Sequence, residues 1–343
     1  MTSRIVVRPG SWSWTLTRRT TIVTAATVVF LAGFALWAMT LGDYGLSARQ
    51  VFDAVLGRAT DPLGSYFVRE LRAPRVVAAL LVGAALGVSG SLFQNVTRNP
   101  LGSPDIIGFT IGSATGALVQ IILVGAAGNA VAAGALVGGL ATAATVLLLA
   151  RPHGLTDQRL VLIGIGVGAT LAAANTLLVV RASLEAAQRA GFWLAGSLNA
   201  VLWPKVAVAA AAIVPLVVAA GLLHRPLSQL SLGDQTARAS GIDVDRVRLL
   251  VVVVGVALVS VATATTGPIA FVALAAPQVS RRLAGSPLPG VVGPAVTGAA
   301  IVLVADLIAQ RLFAPTELAA GIITGALGGV YLIGLLAAEG RKR

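Results

Sequence analysis

Side chains able to do chemistry are few along these 343 residues, and their spacing matches no catalytic arrangement. There is no Cys, so thiolate nucleophiles, thiolate metal sites and disulfides are excluded, and the redox compartment cannot be read from thiols. His153 and His224 are the only histidines; they stand far apart in polar connections, without metal-site spacing, and read as loop histidines. The lysines are Lys205, after Trp203-Pro204, and Lys342 in the tail, so no Gly-rich turn with Lys and Ser/Thr is present to cradle phosphate. Gly164-Ile-Gly-Val-Gly168 lacks the spacing of a dinucleotide loop, and no strand precedes it. What remains is isolated polarity in apolar surroundings. Asp306 is the only acid inside an apolar run; it lies near the outer end of its helix, where it can snorkel or pair with Arg311. A charge at mid-membrane costs about 2.5–3.5 kcal/mol, and a proton-driven carrier would need several such groups. Asn175, inside another apolar run, is polar without that cost; it is a candidate to line a pathway, or else to bond a neighbouring helix.

The elements that hold these groups are membrane helices. Hydrophobic residues make up 57% of the chain and charged residues 11%, far from the roughly one-quarter charge of a soluble domain. Apolar runs of the length that crosses about 30 Å of hydrocarbon recur almost throughout. Breaks at polar, Pro and Gly positions divide them into ten helices over 22–41, 76–96, 106–124, 131–150, 160–180, 206–223, 249–266, 269–283, 291–311 and 318–338. The eighth is too short to span comfortably and carries Pro277. The segment 187–201, with Phe192 and Trp193 between charged flanks, reads as a short helix at the outer interface. The first run is long enough for a membrane helix rather than a signal peptide. The expected fold is therefore all-α and polytopic: a single transmembrane domain over 1–343, with an N-terminal tail over 1–21.

Ten spans put both termini on one side. That side carries 16 Lys/Arg against 9 opposite, with net charges of +10 and +2, so the positive-inside rule places both termini in the cytoplasm. The basic residues are spread over membrane-flanking loops instead of forming a patch, which argues against nucleic acid despite the net charge of +12. Gly pairs four apart recur at Gly83/Gly87, Gly112/Gly116, Gly134/Gly138, Gly164/Gly168 and Gly321/Gly325; they suit close helix packing inside the chain, or a subunit interface.

The cytoplasmic connection over 232–247 is distinctive. It reads as a short helix from about Gln235, with Asp234 as N-cap and Gly241 as its stop, and Arg238 and Asp243 on either side of that stop. Such a turn-helix-turn can press on a soluble motor; a solvated connecting loop is the alternative.

Several stretches together resemble the iron-siderophore and vitamin B12 permease family of type II ABC importers. They are Arg72-Ala-Pro-Arg75, 83–90, Gln94, 98–105 with Gly108, 192–197, the 232–247 loop, and 267–277 followed by Arg281. Within that family the chain is most similar to permeases for ferric enterobactin, through 162–167, 181–185, 195–199 and 328–333. Gln278 stands where the family usually has His, and Gln310-Arg311 where many relatives have a single Arg.

The resemblance implies a plasma (inner) membrane permease that pairs with a second, related permease. Two ATP-binding subunits would use the ATP, and an extracytoplasmic binding protein would deliver a ferric siderophore. No cofactor or metal is implied for this chain, because the siderophore itself chelates the iron. Arg72 and Arg75, which flank Pro74 and so present two guanidinium groups outward, would receive the binding protein, with Arg311 the next candidate. Asn99 and Leu101, beside Pro100, would form a cytoplasmic gate. Asp234, Arg238, Gly241 and Asp243 would couple to the ATPase. A hydroxamate siderophore, haem or cobalamin are alternative cargoes, and a secondary transporter is the rival class.

Overall fold

The computed structural model describes residues 4–7, 14–42, 44–150, 157–285 and 290–340. A small antiparallel hairpin, β1 (Arg4–Val7) with β2 (Trp14–Thr17), leads into helices. These are α1 (Arg18–Ala38), α2 (Ala48–Val55), α3 (Pro62–Tyr66), α4 (Ala73–Val96), α5 (Phe109–Leu118), α6 (Asn129–Ala150) and α7 (Asp157–Arg181). There follow α8 (Leu184–Leu194), α9 (Trp203–Leu230), α10 (Asp234–Ala239), α11 (Val244–Thr266), α12 (Val272–Ala284), α13 (Val292–Arg311) and α14 (Ala320–Gly340). A π-helical turn, Phe67–Arg72, joins α3 to α4, and another, Val119–Val124, extends α5.

Ten of these correspond to the expected spans, and seven helical segments are long and apolar enough to cross a membrane by themselves. Most ends shift by a few residues, and two elements differ more. The sixth span runs on through Leu230, because Pro226 is accommodated inside α9; His224 is therefore helical and not in a loop. The outer helix α8 starts earlier than expected, where the Ser183 hydroxyl accepts the Ala186 N–H at 3.3 Å, and it stops at Leu194. His153 lies outside the described residues.

The spine is α4, buried along most of its length and packed on α13, α11, α12 and α9. In lipid no hydrophobic force drives helix against helix, so association depends on close van der Waals approach. A methyl group added at Gly83 or Gly298 would collide with the backbone of the facing helix, and one at Gly87 would meet the Pro294 carbonyl. Gly112 and Gly116 on α5 interlock in the same way with Gly138 and Gly134 on α6, and Gly164 and Gly168 receive Ile107 and Gly108. The Gly pairs thus serve internal packing, except Gly325, which has open space beside it while Gly321 meets the Ala195 carbonyl. Helix α1 is peripheral, with Ala35 its one buried residue.

The α4–α13 contact yields the first prediction. Gly298→Val should lower the thermal midpoint of the detergent-purified chain by the equivalent of about 1–3 kcal/mol. Gly221→Ala, at a position with nothing within 4 Å, should leave it nearly unchanged.

Candidate functional site

Polar side chains gather at three levels of the bundle. At the end of the bundle expected to be the outer one, the chain between α1 and α4 folds into a collar. The Asp61 carboxylate caps α3 at the Leu63 N–H (3.0 Å) and accepts the Tyr44 hydroxyl (2.8 Å); with the Gly64 N–H, these bonds hold its pKa below the ordinary carboxylate value. Arg72 pins the collar down, donating from Nη1 to the Met39 carbonyl (2.7 Å) and from Nη2 to the Tyr44 carbonyl (2.6 Å).

Arg75 reaches across the bundle. Its Nε and Nη2 donate to Asp306 Oδ2 and Oδ1 at 2.9 and 3.0 Å, and its Nη1 meets Glu317 at 3.1 Å. Asp306 is buried and also accepts the Gln310 amide at 2.8 Å. The two arginines therefore do not both point outward as the Pro corner suggested: each is turned onto intrachain acceptors. The partner of Asp306 is Arg75 rather than Arg311, and Arg311 lies exposed.

At mid-depth, Asn175 sits half-buried on α7 with its Oδ1 enclosed and without a hydrogen-bond partner. Thr170, Ala173, Ala174 and Thr176 beside it are exposed. The segment before α5 dips back into the bundle and carries Asp105, whose Oδ1 accepts the Thr110 hydroxyl at 2.5 Å and whose carboxylate also faces the Phe271 N–H. Sequence reasoning passed over Asp105 because Pro104 and Ser103 disguise it as a loop acid.

At the opposite end, expected to be the inner one, α4 breaks at a tight turn. Thr97 donates its hydroxyl to the Phe93 carbonyl (2.7 Å), Arg98 adopts a left-handed φ of 47°, and Asn99 Oδ1 accepts the Leu101 N–H (2.9 Å). Leu101 is 47% exposed. Buried Gln278 on α12 donates to the Pro100 carbonyl at 2.8 Å and receives the Tyr331 hydroxyl at 3.3 Å. Gln278 directly follows Pro277 at the end of the apolar first half of α12, ahead of Ser280, Arg281 and Arg282, and that was the available signal for its role.

The connection over 232–247 lies against this turn. Gly233, not Asp234, is the N-cap of α10; Asp234 is instead its first residue and pairs with Arg98, and with Arg248 at 3.0 Å. Gly241 follows α10 at φ 82°, Asp243 caps α11 by accepting the Arg246 N–H at 3.0 Å, and Arg238 reaches Asp245 at 3.6 Å. Burial would raise the Asp234 carboxyl, but Arg248 and Arg98 outweigh it and hold the pKa below the ordinary value. Among the described residues no three His, Cys, Asp or Glu stand together to hold a metal ion.

Residues 27–338 match the FecCD transport family. The chain is 48% identical to the ferric enterobactin transport system permease protein of Escherichia coli strain K12, over 90% of this chain and 93% of that one. It is 34% identical to the achromobactin transport system permease protein of Dickeya dadantii strain 3937, over 97% and 96%. Among solved structures, an inward-facing metal-chelate type ABC transporter superposes with a TM-score of 0.84 at 30% identity, covering 93% of this chain and 99% of the other.

Two predictions come from these ion pairs. Arg75→Met leaves Asp306 buried without its cation and should cost on the order of 3–5 kcal/mol. Adding Asp306→Asn should return part of that loss in thermal unfolding. Because the folded-state pKa of Asp234 is depressed, its contribution is complete above the ordinary carboxylate pKa and is lost as pH falls through the lower folded value. The stability difference between wild type and Asp234→Asn should therefore be flat from neutral pH down to about 4 and collapse only below.

Proposed function

The chain belongs to the FecCD transport family, and from that premise we propose that it is the membrane permease of an ATP-driven importer carrying a ferric catecholate siderophore into the bacterial cytoplasm. The 48% identity over nine-tenths of the chain to a ferric enterobactin permease carries the reading of the cargo. The chain is a multi-pass membrane protein of an ABC transporter complex. In our reading that complex holds a second, related permease, two ATP-binding subunits and an extracytoplasmic binding protein, in the plasma membrane with both termini of this chain cytoplasmic.

The chemistry asked of this chain is slight. Iron stays chelated by the siderophore, so the pathway supplies polar groups that neither compete for the metal nor grip the chelate. Asn175 and the small exposed residues around it on α7 suit that demand. Leu101, an exposed apolar tip on a braced turn at the inner end, suits a gate. The exposed face of α10, followed by the left-handed Gly241, suits contact with a motor subunit. Of the three arginines named for docking, Arg311 is exposed, while Arg75 must first leave Glu317 to receive an acidic partner.

A strain lacking this chain should lose uptake of radioiron-labelled ferric enterobactin, and complementation should restore it. In vesicles, uptake should require the ATP-binding subunits, and the isolated permease should bind no nucleotide. ATP-independent uptake through this chain alone would point to a secondary carrier. Uptake of haem but not of the catecholate chelate would correct the cargo.

A further inference from the structure

We infer that Asp234 is a positioning residue for transport: its carboxylate fastens α10 to the inner turn, so that a displacement of α10 is delivered to Leu101. The inference rests on the coupling role proposed above for the connection over 232–247. It adds the route by which that connection reaches the gate.

Asp234 opens α10, and its Oδ1 is shared by guanidinium groups from two different elements. Arg248 comes from α11 with a side chain only 4% exposed, so it ties the carboxylate to the body of the bundle. Arg98 comes from the turn itself, with a side chain 37% exposed. The carboxylate thus joins the α10–α11 corner to the exposed turn, so that the turn follows when that corner moves.

The backbone of the turn is consistent with being held from outside. Arg98 has φ 47°, a conformation that a non-glycine residue keeps only where its surroundings impose it. Beyond Arg98 little slack remains. Asn99 braces Leu101 by its side chain at 2.9 Å, and its carbonyl accepts the Gly102 N–H at 2.9 Å. On the far side, Gln278 holds the Pro100 carbonyl from the buried face of α12. The turn is therefore attached at Arg98, pivoted at Pro100 and tipped by Leu101. A pull at Arg98 must tilt the tip, because the segment between has no free loop to absorb it.

The chain lacks cysteine, so spin labels can be placed at Ser240→Cys, which caps the end of α10, and Leu101→Cys on the turn, both exposed positions. In the complete transporter in vesicles, the distance between the labels should stay narrow with and without ATP and vanadate, because the two elements move together. Asp234→Asn should broaden it. In unlabelled complexes the same change should lower ferric enterobactin delivered per ATP hydrolysed by about tenfold, within the range of a coupling energy between sites. Arg98→Gln should reproduce both effects and Arg98→Lys should recover most of the loss; this exposed pair serves if Asp234→Asn does not assemble. A distance that stays narrow in the variants, with unaltered iron per ATP, overturns the inference. A wild-type complex that moves no ferric enterobactin overturns the functional reading instead, and the distance measurement still decides whether α10 and the turn are joined.

Discussion

The closeness of backbone to backbone along α4 is the constraint from which the rest of the molecule follows. Lipid offers no hydrophobic reward for bringing two helices together, so the bundle holds through dispersion contacts that exist only where side chains are nearly absent. Gly83 and Gly87 against Gly298 and Pro294, and Gly90 against the Ala273 carbonyl, put three helices at a separation no larger residue permits. That spacing places α12 where Gln94 reaches the Leu274 carbonyl at 3.0 Å, and where Gln278 meets the inner turn. Packing by small residues and positioning of the turn over 97–102 are the same fact seen at two depths.

Polar side chains are distributed so as to leave this packing undisturbed. The doubly bonded ion pair, Arg75 with Asp306, ties α4 to α13 at one end of the bundle. The second cluster, around Asp234, sits at the inner end, where α9, α10 and α11 meet the end of α4. Among the described residues, the buried polar side chains between them include the amides and hydroxyls of Ser89, Gln94, Ser113 and Ser260, and Asp105 stands beside them. A bulky chelate meets few charges along the way, which favours passage over retention.

Much of the fold was legible because the membrane reduces the choices: an apolar run of sufficient length has to be a helix, since its backbone finds no other partners in lipid. Hence the ten spans emerge with ends a few residues off, and the largest error falls at Pro226, where helix continuation depends on neighbours that no local pattern records. The site was less legible. Arg72 and Arg75 differ by three positions and look equivalent, yet one closes a loop through carbonyl oxygens and the other crosses to a residue 231 positions away. Asp234 has the composition and place of an N-cap, and only the approach of Arg98 and Arg248 shows why its side chain is drawn elsewhere. Long-range electrostatic partners leave no periodic trace in a sequence; helices do.

The π-helical turn at Phe67–Arg72 sets collar and bundle apart in phase. A π turn holds one residue more than an α turn, and one residue corresponds to about 100° of rotation about the axis. The collar and the buried face of α4 are therefore indexed independently, like two gears joined through a slipped tooth. Residues added to or lost from the collar in the course of descent would be absorbed there as a change of winding, leaving Gly83 and Gly87 facing α13. A change of winding in the collar need not disturb the glycine contact beneath it.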